Sequence, residues 1–219
     1  MSNISVNTIT DASGGSTASI NGLTPQASNM QPHNLIINGA MTVAQRGTSA
    51  VTIGTTAEVF RADRFRSEQG GSTANNGTLE VSTDATSGFK ASTKFTAGSS
   101  ATYNTAGYFS INYRIEGQNV SQLSYGTASA AQCTLSFWVK ASITGTYSLN
   151  FTKYDGANER WQVKNYVINS ANTWEYKTIT LDGDTAYTAS EFMRLYWQLG
   201  GDGGAYTATP DVWFAGTGT

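Results

Sequence analysis

Between Phe109 and Glu116 the chain alternates strictly. Phe109, Ile111, Tyr113 and Ile115 are separated by Ser110, Asn112, Arg114 and Glu116. A period of two sends successive side chains to opposite faces of an extended backbone, so this segment reads as a half-buried strand. Thr134 to Lys140 repeats the pattern, with Leu135, Phe137 and Val139 on one side. A helix would scatter these residues around its circumference and leave no continuous apolar stripe.

Other runs agree. A turn through Ser142 to Gly145 leads into Tyr147, Leu149 and Phe151, which predicts an antiparallel hairpin with the 134–140 strand. Trp161 to Ile168, the turn Asn169 to Asn172, and Trp174 to Leu181 predict a second hairpin. Leu195, Trp197 and Leu199 mark a further strand before the glycine-rich stretch Gly200 to Gly204. That stretch opens no apolar helix, so it is not a phosphate-cradling loop. The one helix-like piece is short, around Gln118 to Leu123. Regular strand-and-turn spacing of this kind predicts an all-β fold, an antiparallel β-sandwich or jelly roll.

Composition narrows the function classes. Charged residues are 13% of the 219, about half the ~25% of an ordinary globular protein. Thirteen basic residues against 15 acidic ones give a net charge of −2, so no electrostatic footprint for nucleic acid or an anionic membrane exists. No apolar run approaches the ~20 residues of a membrane-spanning helix. No basic n-region precedes an apolar h-region at the N-terminus, which leaves the general secretory route unsupported. The single cysteine, Cys133, excludes an intrachain disulfide and sits at the start of an apolar strand, where a buried, inert thiol is expected.

Residues 1–33 differ from the remainder. They are rich in Ser, Thr, Asn and Ala, with sparse apolar points at Ile4, Val6, Ile9, Ile20 and Leu23. So little apolar surface cannot offset the entropy of ordering, so the segment stays loose or orders against partner chains.

The stretch 34–66 reads NLIINGAMTVAQRG, a polar spacer, then FRADRFR. The apolar run Leu35, Ile36, Ile37 is strand-like and breaks at Asn38-Gly39, a strong turn signal. Arg61, Arg64 and Arg66 stand among Glu58, Asp63 and Glu68, which reads as a salt-bridged face. This pairing of motifs resembles a segment that opens a jelly-roll domain in tail fibres and receptor-binding proteins of tailed bacteriophages. IEGQNVSQLSYGT, AQCTLSFWVKASITGTYSLNF and VINSANTWEYKTITLDGD are similar to consecutive strands of that domain, which is in turn similar to carbohydrate-binding modules. The resemblance spans roughly residues 34–212.

The resemblance implies three regions: a tail-anchoring segment over 1–33, a connecting strand-and-turn segment over 34–66, and the sandwich over 67–219. It implies a virion protein made in the host cytoplasm. Ile4, Val6, Ile9, Ile20 and Leu23 would attach it to another tail protein, an adaptor, nozzle or baseplate, and the assembly would be a homotrimer. Domains of this kind continue into a further closing strand, whereas this sequence ends soon after Phe214. A missing strand would leave an open sheet edge, to be covered by another chain or by residues beyond this sequence. The alternative is a carbohydrate-binding module of a secreted polysaccharide-processing protein.

Trp138 and Lys140 lie opposite the apolar side of their strand, and Asn150, Arg194, Tyr196 and Gln198 lie opposite the apolar sides of theirs. If the strands align, these six form one polar-aromatic face suited either to a host surface glycan or to packing. Trp161, Trp174, Trp197 and Trp213 are expected in the core. No cofactor is implied. Asp182-Gly183-Asp184 and Asp155 to Glu159 offer oxygen ligands for a structural calcium without the spacing of a known calcium loop, and turn formation is the simpler use. His33 is the only histidine, so a Ser-His-Asp triad or a multi-histidine zinc site has no basis, and no carboxylate pair is placed for glycoside cleavage. The chain reads as a binding protein, not an enzyme.

Overall fold

The computed structural model describes residues 34–54, 58–72, 77–98, 103–201 and 209–216, and one compact unit covers Leu35–Thr219. Ile4, Val6, Ile9, Ile20 and Leu23, expected from the resemblance to anchor the chain, and also His33, lie outside the described residues. The strands are β1 (Val51–Ile53), β2 (Val59–Phe60), β3 (Phe65–Ser72), β4 (Gly77–Ser82), β5 (Ser92–Ala97) and β6 (Tyr103–Glu116). After the short helix α1 (Gly117–Val120) come β7 (Cys133–Val139), β8 (Gly145–Tyr154), β9 (Glu159–Ile168), β10 (Glu175–Leu181), β11 (Phe192–Gly201) and β12 (Trp213–Gly216). No helix among them is long and apolar enough to cross a membrane.

Seven strands form one sheet in the order β12-β9-β8-β11-β6-β3-β2. A three-stranded sheet, β1-β4-β5, and a two-stranded ribbon, β10-β7, pack on one face of it. Every neighbouring pair is antiparallel. The result is an antiparallel, jelly-roll-like sandwich.

The alternation in β6 decides which face is inside. Phe109, Tyr113 and Ile115 are buried. In register with Tyr113, the row Phe65, Tyr113, Leu195, Phe151 runs across β3, β6, β11 and β8. Opposite it, Leu135, Phe137 and Val139 of β7 with Ile179 and Leu181 of β10 close the core. Phe137 meets Tyr166 and Trp197 edge-on, with ring centroids 5.3 and 5.8 Å away. A second cluster, Ile53, Val59, Leu79 and Phe109, joins β1 and β4 to the same sheet. Burying side chains of this size contributes roughly 1.5–3 kcal/mol each.

The hairpins expected from sequence do not form. β7 pairs with β10, whereas β8 pairs with β9 and β11, and β9 with β8 and β12. Each of these strands has one apolar side. The chain therefore crosses between layers after β7 and after β9, so that apolar sides meet face to face across the core. Side-by-side pairing would have left the sheet's inner face uncovered.

Residues 35–66 are part of the sandwich, because they supply β1 and β2, the start of β3, and the buried Ala62 and Phe65. Leu35 to Ile37 do not form a strand. The turn at Asn38-Gly39 is present, with Met41 N–H donating to the Asn38 carbonyl at 2.9 Å. Asn38 adopts a left-handed φ of 60°, which Asn tolerates better than most residues. Its side-chain amide donates to the carbonyls of Val43 (2.9 Å) and Asp63 (3.0 Å), and its Oδ1 accepts from Val43 N–H at 3.0 Å. Asp63 in turn accepts from Gln45 N–H at 3.1 Å through Oδ1. The two halves of the motif are thus clasped together. Arg64 reaches from the clasp to Glu116, donating to both carboxylate oxygens at 2.6 and 2.8 Å.

Replacing Asn38 with Ala removes three hydrogen bonds and the polar side chain that lets Asn tolerate left-handed backbone, so urea unfolding should lose about 1–3 kcal/mol. Asn38→Gly relieves only the backbone term, and its loss should be the smaller of the two. Arg64 holds the Glu116 carboxyl at about 2, well below the usual range. A depressed carboxylate pKa stabilises the fold above the unfolded value and loses that contribution as pH falls towards the folded one. Thermal melting should therefore drop between about pH 4.5 and pH 2, and the Glu116→Gln variant should show a shallower drop across that window. Both side chains are partly exposed, at 32% and 44%, so solvent screening keeps the difference modest.

Candidate functional site

The face of the seven-stranded sheet that points away from the other layer carries an unusual population. Register places Phe214, Trp161, Thr152, Arg194 and Arg114 in one row across β12, β9, β8, β11 and β6. The next row is Val163, Asn150, Tyr196, Asn112 and Arg66. Gln198, Ser110 and Glu68 follow. No strand covers this face among the described residues, yet Ser110, Asn112 and Thr152 are fully buried and Tyr196 is 4% exposed. The long side chains of Arg, Tyr and Trp lie along the sheet and shield the shorter polar ones.

The buried groups are largely satisfied from within. Glu68 Oε2 accepts from Arg66 Nη2 and from Asn112 Nδ2, both at 2.6 Å, while Tyr108 donates to Oε1 at 3.2 Å. Arg66 Nε donates to Asn112 Oδ1 at 2.9 Å and its Nη1 pairs with Glu58 at 2.5 Å. Arg194 Nη1 donates to the Tyr196 hydroxyl at 2.7 Å. The Tyr196 ring stacks on Trp161 with centroids 5.6 Å apart and planes 22° from parallel. Burial, reinforced by the Glu68 charge, pushes the Tyr196 phenol up to about 12. Burial also raises the Glu159 carboxyl above its ordinary value. Three polar atoms of this face are buried without a hydrogen-bond partner, Asn150 Oδ1, Thr152 Oγ1 and Arg194 Nε. These atoms lie closed off from solvent, whereas the half-buried remainder of Asn150, Arg194 and Trp161 forms a polar-aromatic surface suited to a hydroxylated ligand.

The structure brings Asn150, Arg194, Tyr196 and Gln198 together on adjacent strands. Trp138 and Lys140 are not with them. β7 belongs to the opposing layer, so its outward side is the far surface of the sandwich. There Trp138, 41% exposed, lies against Tyr176 at 5.3 Å, and Lys140 pairs with Asp84 and covers the Trp174 ring. Trp174 donates to the same Asp84 at 3.2 Å and is not in the core, nor is Trp161, which belongs to the outer face. Trp197 and Trp213 do pack on the core. Sequence reasoning missed Trp161, Arg114, Phe192 and Asn112 as members of this face, whereas the salt-bridged grouping of Arg66 with Glu58 and Glu68 was expected and is present. The polar side of the 109–116 alternation was the available signal for Asn112 and Arg114.

The acidic loops are occupied by protein cations. Asp182 accepts from Lys164 (2.9 Å) and Gln162 (2.8 Å), and Asp184 pairs with Arg160 (2.6 Å) and the fully buried Lys153 (3.1 Å). Gly183 between them is required by space, since a Cβ there would lie 2.2 Å from the Ala130 carbonyl oxygen. Asp155 caps its own turn through Ala157 and Asn158 N–H. Among the described residues no group of three or more His, Cys, Asp or Glu could hold a metal ion. Cys133 is half-buried 3.8 Å from the Tyr125 hydroxyl, and burial raises its thiol pKa, which disfavours the nucleophilic thiolate.

No known protein family, curated protein or solved structure matches this chain.

Glu68→Ala would take their shared acceptor from Asn112 Nδ2 and Arg66 Nη2, while Arg66 keeps Glu58. Stability by urea unfolding should fall by about 1–3 kcal/mol, the range for leaving a buried donor unsatisfied.

Proposed function

We propose that this chain is an adhesion module of a tailed-bacteriophage tail fibre and that it holds a host surface glycan on the outer face of its seven-stranded sheet. The observation that carries the glycan part is the juxtaposition of the Trp161–Tyr196 stack with the half-buried Asn150 and Arg194 side chains. A sugar presents apolar C–H faces and a rim of hydroxyls. Trp161 offers the aromatic surface, while Asn150, Arg194 and Gln198 offer acceptors and donors set by the strand register. The backbone beneath is a paired sheet, so the groups are held ready with little ordering cost.

The virion part rests on the 34–66 motif and the strand sequences that resemble fibre domains. Its residues build the clasp that starts the sandwich, which gives the motif a structural reason. In this reading residues 1–33 fasten the fibre to an adaptor, nozzle or baseplate protein, and three copies assemble in the virion tail. Weak binding at each copy then becomes useful avidity.

The test combines solution mass with glycan binding by the full chain. A trimer that binds a bacterial surface oligosaccharide supports the proposal. Trp161→Ala should lower the melting temperature through loss of the Tyr196 stack, and at a temperature where the variant stays fully folded it should still bind at least tenfold more weakly. A monomer with the same glycan preference would indicate the free-standing carbohydrate-binding module of a secreted protein, and a trimer that binds no glycan would reduce the domain to a spacer.

A further inference from the structure

The outer face has a cationic end. Arg114 and Arg194 both lie over the Phe192 ring, with guanidinium carbons 4.5 and 4.3 Å from its centroid. The ring is backed by Tyr154, stacked at 5.0 Å. Two guanidinium groups gathered on one ring repel each other unless an anion lies between or above them.

The carboxylates nearby are already engaged or at a distance. Glu58 and Glu68 pair with Arg66, and Glu116 with Arg64. Glu159 lies on β9, two strands from Phe192 in the row Glu159, Tyr154, Phe192, Glu116, and with Glu68 it acts on Arg194 through space from beyond salt-bridge distance. Among the described residues neither Arg114 nor Arg194 has a carboxylate within salt-bridge distance, and Arg194 Nε has no hydrogen-bond partner. Arg114 is exposed. Its charge is disfavoured by burial of part of the guanidinium and by repulsion from Arg194 and Arg66.

We infer that the Arg114–Phe192–Arg194 cluster is the subsite for a carboxylate-bearing sugar, such as a uronic or nonulosonic acid unit, within the glycan held by this face. The inference rests on the glycan-binding reading above. A guanidinium fork matches the two oxygens of a carboxylate, and the pairing is both strong and orientation-dependent. Arg194 and Arg114 stand in the same row as Trp161, with Trp161 and Arg114 three strand spacings apart, roughly 14 Å. One sugar unit can therefore stack at Trp161 while an acidic unit further along the chain reaches the arginines.

The experiment applies the full chain to an array of neutral, carboxylated and sulfated oligosaccharides, then measures the best ligand against its carboxyl-reduced counterpart. Carboxylated glycans should lead, and carboxyl reduction should weaken binding about tenfold or more, without any variant being needed. Arg114→Gln should bring the acidic ligand down to the level of the reduced one and flatten the salt dependence of binding. Equal affinity for the acidic and reduced ligands, or a lead for neutral glycans, overturns the acidic subsite while leaving glycan adhesion intact. A lead for sulfated glycans overturns the carboxylate assignment. If no glycan binds, both readings fall.

Discussion

The position of Tyr113 governs much of this sandwich. Its ring is fully buried on β6, 4.9 Å from Phe65. Its hydroxyl accepts from Ile37 N–H at 2.8 Å and faces the Leu35 carbonyl at 3.5 Å. Arg64 lies over the same ring, 5.4 Å from its centroid. One side chain therefore joins the core to the backbone just before the clasp and to Arg64 just after it. A buried phenol needs a hydrogen-bond partner, and here the partner is irregular backbone that has no strand to satisfy it. The non-strand course of Leu35 to Ile37 and the burial of Tyr113 thus depend on each other.

The uncovered outer face follows a different logic. A sheet face without a second layer is usually exposed and polar, yet this one buries Asn112, Ser110 and Thr152 completely. The cover consists of side chains from the face itself, held flat by stacking and by the Glu68 network. That arrangement orders Trp161, Arg194 and Tyr196 before any ligand arrives. It also keeps Asn150 Oδ1, Thr152 Oγ1 and Arg194 Nε beneath the surface while the rest of Asn150, Arg194 and Trp161 stays half-buried.

At the opposite face, the loop after β10 is fixed by cations of the sheet. Lys153 is entirely buried, donates to the Ala186 and Tyr187 carbonyls, and pairs with Asp184. Arg160 and Lys164 extend the same contacts to Asp184, Asp182 and Asp211. Removing an aspartate from such a set leaves an unpaired charge in low dielectric, so acidic residues that resemble metal ligands serve here to close the sandwich.

Strand identity and the sidedness of each strand were readable from residues 109–116 and 134–140, because a period of two is a local property of the backbone. The Asn38-Gly39 turn and the short helical piece near Gln118 were readable for the same reason. Asn150, Arg194, Tyr196 and Gln198 could be assigned to outward sides, and they share a face because β8 and β11 are neighbours. Trp138 and Lys140 were equally outward, but outward from the other layer. Which strands become neighbours depends on matching apolar surface across the core, a relation between segments as far apart as Leu135 and Ile179 or Tyr113 and Phe65. No local pattern encodes that match. Alternation along the chain therefore sets what each strand presents, and long-range burial sets what it is presented beside, which is why Trp161, expected in the core, stands on the outer face with Tyr196.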